Sequence, residues 1–517
     1  MKKRISLVTS VFSNWAVLLV NIIVGFILTP YIIARLGTGS YGMWVLIGGF
    51  VGYYDLLDIG IRSAVARYVS RYFVQKDFQS MNEVVNTASA IFCFIGALVI
   101  VLSVLFAGWL ARFFNIQGDE LIVFKYLVWL LSISAGLAFP RNVLSAVLIG
   151  HERFVVSNAI RVITLGLKGI LSFLALFLGG GLASMAMSIL AVTIFGFLAE
   201  FVVVKKSFAY INFSPRFVMP KLVPTLFSFG LHTFIGKMGD TMRLRIDSVV
   251  IGKFLNLEAV GVYGLASTLF GHFYRFNIGC SGVTMPRLAG MAAQYDKDSF
   301  AGAVMRYSII SSLLAGALGA AAVVVAEDFI RLWVPENFAG VRSSAIIFVI
   351  LVVSLVPDLM SNVSWNALQG LKKHHYYAYQ AILEGFVNLG LSIVLVRYMG
   401  MVGVALGTAI PALIVKLFIQ PAYCHRIFKI GWWEYMFHIL IKPFGILLGC
   451  VALFRIGGLD FTARSYLMVL LKGAAVLVVY GVASYIILDV QTRRFIDEKF
   501  KSIIAVIGLL AEKSGVR

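Results

Sequence analysis

Five charged residues lie inside one long apolar segment, residues 228–250, which reads SFGLHTFIGKMGDTMRLRIDSVV. A segment of this length can cross a bilayer as a helix. Hydrocarbon strongly disfavours charged groups, so these side chains must face protein or water and not lipid. The chemistry open to them is ion pairing with one another or binding of a charged ligand. They are Lys237, Asp240, Arg243, Arg245 and Asp247.

Helical spacing gathers four of the five charges into one stripe, because a helix turns by about 100° per residue. The stripe consists of Lys237, Asp240, Arg243 and Asp247, while Arg245 is expected to point elsewhere. In one interpretation the four side chains pair with each other and only fix helix packing. In the other they line a water-filled cavity and contact a charged cargo, as intramembrane ionisable residues commonly do. We favour the second interpretation.

The composition is that of a membrane protein, since 60% of the 517 residues are hydrophobic and only 13% are charged. The formal net charge is +20, but the Lys and Arg residues recur in short clusters between apolar runs. This pattern is typical of cytoplasmic loops beside anionic lipid, so we expect the bilayer and no nucleic acid as a partner. The four cysteines form no CxxC pair and have no ligand spacing, so neither a disulfide framework nor a metal or cofactor site is predicted.

About fourteen apolar runs are long enough to span the bilayer. An even number places both termini on one side, and the loops on that side are richer in Lys and Arg, so both termini are predicted to be cytoplasmic. No loop on the opposite side is longer than about twenty residues, which leaves little room for an external catalytic domain. The runs lie near residues 8–34, 41–61, 85–110, 121–149, 155–178, 182–204, 223–251, 260–282, 303–325, 342–366, 376–397, 402–424, 438–456 and 466–488.

The chain matches itself when it is shifted by 219 positions, which predicts an internal repeat. The shift aligns residues 58–60 with residues 277–279, and Gly181 with Gly400. It also superposes predicted spans, and an even number of spans separates the two copies. The copies are therefore expected to have the same orientation in the membrane, as parallel repeats about an axis along the membrane normal.

These observations predict an all-α polytopic membrane protein of about fourteen transmembrane helices. Two parallel six-helix repeats surround a central cavity, and two C-terminal helices follow. The predicted parts are a first lobe (1–204), a cytoplasmic linker (205–221), a second lobe (222–424), helices 13 and 14 (425–488) and a cytoplasmic amphipathic tail (489–517).

Ten further ionisable residues fall in or near the predicted spans, and the bases among them outnumber the acids. A cleft that they lined would favour an anionic group. They are Asp55, Asp58, Arg141, Arg161, Lys168, His272, Arg275, Asp358, Glu384 and Lys416.

Residues 26–73 resemble the first two helices of bacterial polysaccharide-export flippases. The superfamily of these proteins also contains multidrug and toxic-compound extruders and the peptidoglycan-precursor flippase. The likeness is carried by an L-G-x-x-x-Y-G turn at residues 36–42 and a D-x-G-I sequence at residues 58–61. Leu-Gln-Gly-Leu at 368–371 and residues 400–405 are also similar, and the likeness covers essentially residues 1–425.

This resemblance implies alternating access and movement of a polyprenyl-pyrophosphate-linked oligosaccharide from the inner to the outer leaflet of the bacterial inner membrane. A pyrophosphate that crosses the bilayer needs Arg or Lys partners. We assign substrate binding to Lys237, Arg243 and Arg275 first, and then to Arg245 and Arg141. Residues expected to orient these bases, or to couple transport to a proton, to sodium or to the membrane potential, are Asp240, Asp247, Asp55, Asp58 and Asp358.

Two other functions remain open at this point. An ion-coupled multidrug exporter would have the same fold, but the cavity candidates here are mainly basic. A membrane glycosyltransferase or polymerase belongs to a different class and would need an acidic site on a sizeable outer loop, which the sequence lacks. The resemblance also leaves open a polysaccharide polymerase as a partner.

Overall fold

A computed structural model describes residues 7–282, 288, 290, 291, 297–371, 373, 375–457, 462–488 and 493. Within the helices, a number of side chains lie outside this description. Those of Lys237, Asp240 and Arg243 are among them. The predictions made for these three residues therefore lie outside the described part of the chain.

The regular structure of the described residues is entirely helical. The 3₁₀ turns are Asp55–Asp58, Pro215–Phe217 and Pro220–Leu222, and π-helical segments are Val415–Ile419 and Met436–Ile441. The α-helices are α1 (Leu7–Tyr54), α2 (Ile61–Gln75), α3 (Phe78–Phe113), α4 (Asp119–Gly150), α5 (Phe154–Phe177), α6 (Leu182–Ser207), α7 (Val223–Phe254), α8 (Leu257–Gly282), α9 (Lys297–Trp333), α10 (Val341–Met360), α11 (Asn362–Gly370), α12 (His375–Ile414), α13 (Gln420–Phe428), α14 (Trp432–Tyr435), α15 (Lys442–Ile456) and α16 (Tyr466–Ile487).

The predicted all-α membrane fold is confirmed, and the count of fourteen spans is consistent with the structure. Within the described residues, 10 helical segments are long and apolar enough to cross a membrane. Two of these, Phe12–Gln75 and Tyr379–Phe428, contain 64 and 50 residues. A single crossing needs only about 20 residues, so each can cross twice. The charged helix α7 and its neighbour α8 are long enough to supply the remaining two spans.

Two long helices are broken at a glycine with a left-handed backbone. Gly37 has φ 82° within α1, and Gly400 has φ 56° within α12. A residue with a Cβ is strained at such angles, so glycine is the residue that permits the break. Gly37 belongs to the turn that the L-G-x-x-x-Y-G sequence predicted.

One pair of glycines that the predicted repeat aligns lies where helices begin or break. Gly181 precedes α6, and Gly400, at the same offset, breaks α12. The counterpart of α2, residues 280–294, lies mostly outside the described residues.

By internal contacts the chain divides into two compact units. The first contains Met1–Gly279, Trp333–Leu351 and His374–Pro411, and the second contains Cys280–Leu332, Val352–Lys373 and Ala412–Arg517. This partition differs from the two lobes expected from the sequence, whose boundaries stay a prediction. In the second unit, buried Lys472 of α16 donates to Asp328 of α9 at 2.8 Å. Helix α16, which corresponds to the predicted fourteenth span, is thus joined to α9 by an ion pair.

In the first unit, residues 210–214 of the predicted linker lie along α3. Buried Asn86 donates to the carbonyl oxygen of Asn212 and accepts from the amide of Ser214. One helical turn earlier, Asn82 makes the same pair of contacts with Tyr210 and Asn212. Because every second linker residue meets an asparagine amide, residues 210–214 are fixed to the helix.

The contact at the start of this linker involves a histidine outside the membrane spans. His151 Nε2 and the Tyr210 hydroxyl lie 2.8 Å apart, and the imidazole stacks on Phe208. Burial lowers the pKa of His151, which favours the neutral ring in this contact. Residues 208–214 are thus held by both ring packing and hydrogen bonds.

We expect Asn86→Ala to lower the free energy of unfolding by about 1–3 kcal/mol, because it removes two hydrogen bonds that hold the linker on α3. Gln79→Ala, at an exposed position of the same helix, is the matched control. Thermal and denaturant unfolding of the detergent-solubilised protein would measure the difference. Equal stability of the two variants would contradict the anchoring role of Asn86.

Candidate ligand-binding cavities

The first unit contains a cavity of about 580 Å³, lined by four arginines and a single carboxylate. This volume is in the range of ligand pockets. We call it the arginine cavity. Its charged residues are Arg62 of α2, Arg141 of α4, Arg161 of α5, Glu200 of α6 and Arg275 of α8.

Each lining helix presents one face to this cavity. On α4 the lining residues are Ala138, Arg141, Asn142 and Ser145, and on α1 they are Asn14, Val17, Leu18 and Asn21. Residues three and four apart fall on the same side of a helix, so these spacings are those of one helical face.

Neutral groups hold two of the arginines in place. Arg62 Nη2 donates to Ser145 Oγ at 2.8 Å, and Arg275 Nη1 donates to Asn21 Oδ1 at 3.2 Å. A hydroxyl or an amide orients a guanidinium without neutralising it. The positive charge of both arginines therefore remains available to a ligand.

Arg141 is the exception, because its Nη2 atom donates to Glu200 Oε1 at 3.0 Å. Glu200 is 1% exposed, and its Oε2 atom has no hydrogen-bond partner in the described structure. A Cβ at Gly196 would lie 2.5 Å from Arg141 Nη1. The guanidinium therefore occupies the space that a side chain at Gly196 would fill.

A second cavity of about 410 Å³ continues from the first and shares Ala138, Arg141 and Asn142 with it. We call it the lysine cavity, because it adds Lys168. The other charged residues that it adds are Asp55 and Arg245. Helix α4 lines both cavities from Leu131 to Ser145, a length of about 21 Å at 1.5 Å per residue.

Arg245, one of the predicted substrate-binding residues, lines the lysine cavity. Its direction relative to Lys237, Asp240 and Arg243 stays a prediction, because their side chains lie outside the described residues. The Nη1 atom of Arg245 donates to the carbonyl oxygen of Gly48 at 3.4 Å. A Cβ at Gly52 would lie 1.6 Å from the same nitrogen, so the guanidinium lies directly against α1. Periodicity identified two opposite faces of α7, but packing against α1 decided which face meets the cavity.

Asp247 is buried and lines neither cavity, which corrects its predicted place on the cavity stripe. It accepts hydrogen bonds from the Tyr263 hydroxyl and from Thr408 Oγ1, which lies 3.0 and 2.9 Å from its two oxygens. Asn388 lies beside Thr408, with 3.3 Å between Oγ1 and Oδ1. The ion pairs of the described chain do not include Asp247. Its candidate partner on the same helix, Arg243, lies outside the described side chains, so the interpretation that these two residues pair stays a prediction.

The other predicted residues divide between the cavities and other places. Arg141 and Arg275 line the arginine cavity and Asp55 lines the lysine cavity. Asp58 accepts from the amide of Arg62 at 3.2 Å, at the start of α2. Both cavities belong to the first unit. Asp358 lies in the second unit, where it pairs with Lys416 at 2.8 Å, and it lines neither cavity.

Four charged lining residues were not among the predicted site residues: Arg62, Arg161, Lys168 and Glu200. Their signal was present in the sequence. Arg161 and Lys168 are seven residues apart on α5, and Thr193 and Glu200 are seven apart on α6, so each pair shares a helix face. A lone glutamate within an apolar span is itself a sign of a functional site or a buried ion pair.

We expect Gly196→Ala to displace the Arg141 guanidinium and leave the buried Glu200 carboxylate unpaired. The free energy of unfolding should fall by about 1–3 kcal/mol. Adding Glu200→Gln should recover part of this loss, because the unpaired charge is then absent. Gly166→Ala on α5 is the control, since a Cβ there would meet nothing within 4 Å. If both glycine variants unfold alike, Gly196 does not position Arg141.

A family model described as "Polysaccharide biosynthesis protein" matches residues 32–342. AglR of Haloferax volcanii, named as a probable flippase, is 23% identical over 399 residues, which cover 74% of this chain and 76% of AglR. A Shigella flexneri protein named as a candidate O-antigen transporter is 19% identical over 388 residues, covering 75% of this chain and 90% of that protein.

Among solved structures, the lipid II flippase MurJ in an inward closed conformation matches with a TM-score of 0.71. The match covers 93% of this chain and 99% of MurJ at 16% identity, so it concerns the fold alone. The family match, in contrast, covers more than half of the sequence and confirms the predicted relationship to polysaccharide-export proteins. This chain belongs to the polysaccharide biosynthesis protein family.

Proposed function

We propose that this chain is a flippase that moves a polyprenyl-pyrophosphate-linked oligosaccharide from the inner to the outer leaflet of the bacterial inner membrane. The movement proceeds by alternating access, with both termini in the cytoplasm. Membership of the polysaccharide biosynthesis family and relatives named as a flippase and an O-antigen transporter support this class of cargo. A polysaccharide polymerase that uses the exported glycan is a partner consistent with this role.

The observation that carries the proposal is the surplus of arginine in the arginine cavity. Among the described residues, four guanidinium groups and one carboxylate line it, and that carboxylate has its described ion pair with Arg141. A pyrophosphate bridging a lipid and a sugar is a strong anion with several acceptor oxygens. Guanidinium groups bind such oxygens in pairs, and in a cavity of low polarity these charge-assisted bonds are strong.

The continuation of the arginine cavity into the lysine cavity gives the cargo a direction. With cytoplasmic termini, Asn14, Arg161 and Glu200 lie near the cytoplasmic ends of their helices, and Lys168 and Trp44 lie deeper. The pyrophosphate would enter the arginine cavity from the inner leaflet, with the sugars nearer the membrane centre. The lipid tail would remain among the bilayer lipids.

The alternative functions are less consistent with these cavities. A multidrug exporter has no need of six basic side chains along its path, because many of its substrates are apolar or cationic. A glycosyltransferase would need carboxylates that bind a metal or activate an acceptor. The acids of the two cavities are Asp55 and Glu200, and they line different cavities.

Asp247 is the candidate for coupling transport to an ion. A buried carboxylate with hydroxyl donors and no basic partner among the described residues is suited to bind a proton or a monovalent cation. Its partners come from α8 and α12, since Tyr263 and Thr408 donate to it. Binding of a cation would change how three helices of the first unit are held together.

We expect Arg275→Ala and Arg62→Ala each to lower the rate of transport at least about tenfold, because each removes a charge-assisted bond to pyrophosphate. We expect the same of Arg243→Ala. The measurement is translocation of a defined polyprenyl-pyrophosphate oligosaccharide in inverted vesicles. Lys206→Gln, an exposed base outside both cavities, is the control. Unchanged transport in Arg275→Ala and Arg62→Ala would count against the arginine cavity as the pyrophosphate site.

We expect Asp247→Asn to remove the dependence of transport on the coupling ion, because a neutral amide can neither release a proton nor attract a cation. Transport would be measured with an imposed proton gradient, sodium gradient or membrane potential. Glu258→Gln, at an exposed carboxylate of the same unit, is the control. If Asp247→Asn responds to every gradient as the unmodified protein does, Asp247 is not the coupling residue.

A further inference from the structure

The lysine cavity holds a base that has no partner in the described structure. Lys168 of α5 is half-buried and lines this cavity, yet its ammonium group has no hydrogen bond or ion pair with any described residue. An uncompensated charge within a membrane-spanning unit is unfavourable. Its presence is explained if a ligand supplies the opposite charge.

A second base faces the same space. Arg245 donates only to the backbone oxygen of Gly48, at 3.4 Å, which leaves most of its guanidinium donors for a ligand. Beyond Arg141, which both cavities share, the lysine cavity has two bases and one acid, Asp55. Counted over the described residues and without Arg141, the lysine cavity therefore has a net charge of +1.

The pyrophosphate does not account for this charge. The arginine cavity alone contributes four bases against one acid, which exceeds the charge of a pyrophosphate diester. The group bonded to the pyrophosphate on the side away from the lipid is the first sugar of the glycan. It is the part of the cargo that would reach the lysine cavity, because the two cavities meet at Arg141 and Asn142.

The remaining lining is suited to a sugar ring. Ser134 Oγ and Thr193 Oγ1 lie 2.7 Å apart on α4 and α6, and Asn142 adds an amide. Such groups exchange hydrogen bonds with sugar hydroxyls. Trp44 supplies a flat aromatic surface, on which the apolar face of a sugar can pack.

We infer that the lysine cavity selects a glycan with a carboxylate on a sugar close to the pyrophosphate, and that Lys168 and Arg245 bind this carboxylate. The inference rests on the proposed flippase function and narrows its substrate class to acidic glycans. Lys168 and Arg245 are then residues that determine specificity, while the arginine cavity binds the group common to all such cargo.

The test uses two cargo molecules that differ in one group. Both are polyprenyl-pyrophosphate disaccharides. The first sugar, bonded to the pyrophosphate, is glucuronate in one and glucose in the other, so that a carboxylate replaces a hydroxymethyl group. The full-length protein in proteoliposomes should move the acidic cargo about tenfold faster than the neutral one, the effect of one charge-assisted bond. In Lys168→Gln and Arg245→Gln this ratio should approach one.

Lys206→Gln is the matched control and should keep the ratio of the unmodified protein. A misfolded variant would lose transport of both cargo molecules, so two variants in different helices are compared. Gel filtration of each variant would detect misfolding. If the unmodified protein moves both cargo molecules at the same rate, the inference is overturned and the flippase function stands. If it moves neither, the flippase function fails, and the inference fails with it.

Discussion

Positive charge without a carboxylate partner, enclosed in a membrane-spanning unit, is the constraint on which this structure depends. Six bases line the two cavities, and Arg141 alone among them pairs with an acid in the described chain. Such charges are tolerated only where water or a ligand reaches them. The helices must therefore keep a polar space open, and this space favours an anionic group over a cationic one.

Small residues and neutral hydrogen-bond partners satisfy this constraint locally. Gly196 and Gly52 leave room for the guanidinium groups of Arg141 and Arg245, so these large cations lie against a helix backbone instead of filling the cavity. Serine, asparagine and backbone oxygens orient the arginines without cancelling their charge. Asp247, another buried acid of the same unit, lines neither cavity, so it does not neutralise the bases that line them.

The anchoring of the linker on α3 determines which part of the chain between α6 and α7 can move. Asn82 and Asn86 fix residues 210–214 to the first unit, so this part of the chain behaves as an extension of α3. A conformational change during transport is then expected beyond residue 214, near Pro220 and Pro224 at the start of α7.

The sequence by itself determined the helical membrane fold, the repeat and the basic character of the site, because bilayer thickness, helical period and the energy of buried charge act locally along the chain. It also predicted Arg141, Arg275, Arg245 and Asp55, which line the cavities. Only the tertiary structure decided that Arg245 faces a cavity and Asp247 does not, and that Glu200 pairs with Arg141. Periodicity tells which residues share a helix face, but the partner of that face depends on packing between distant segments.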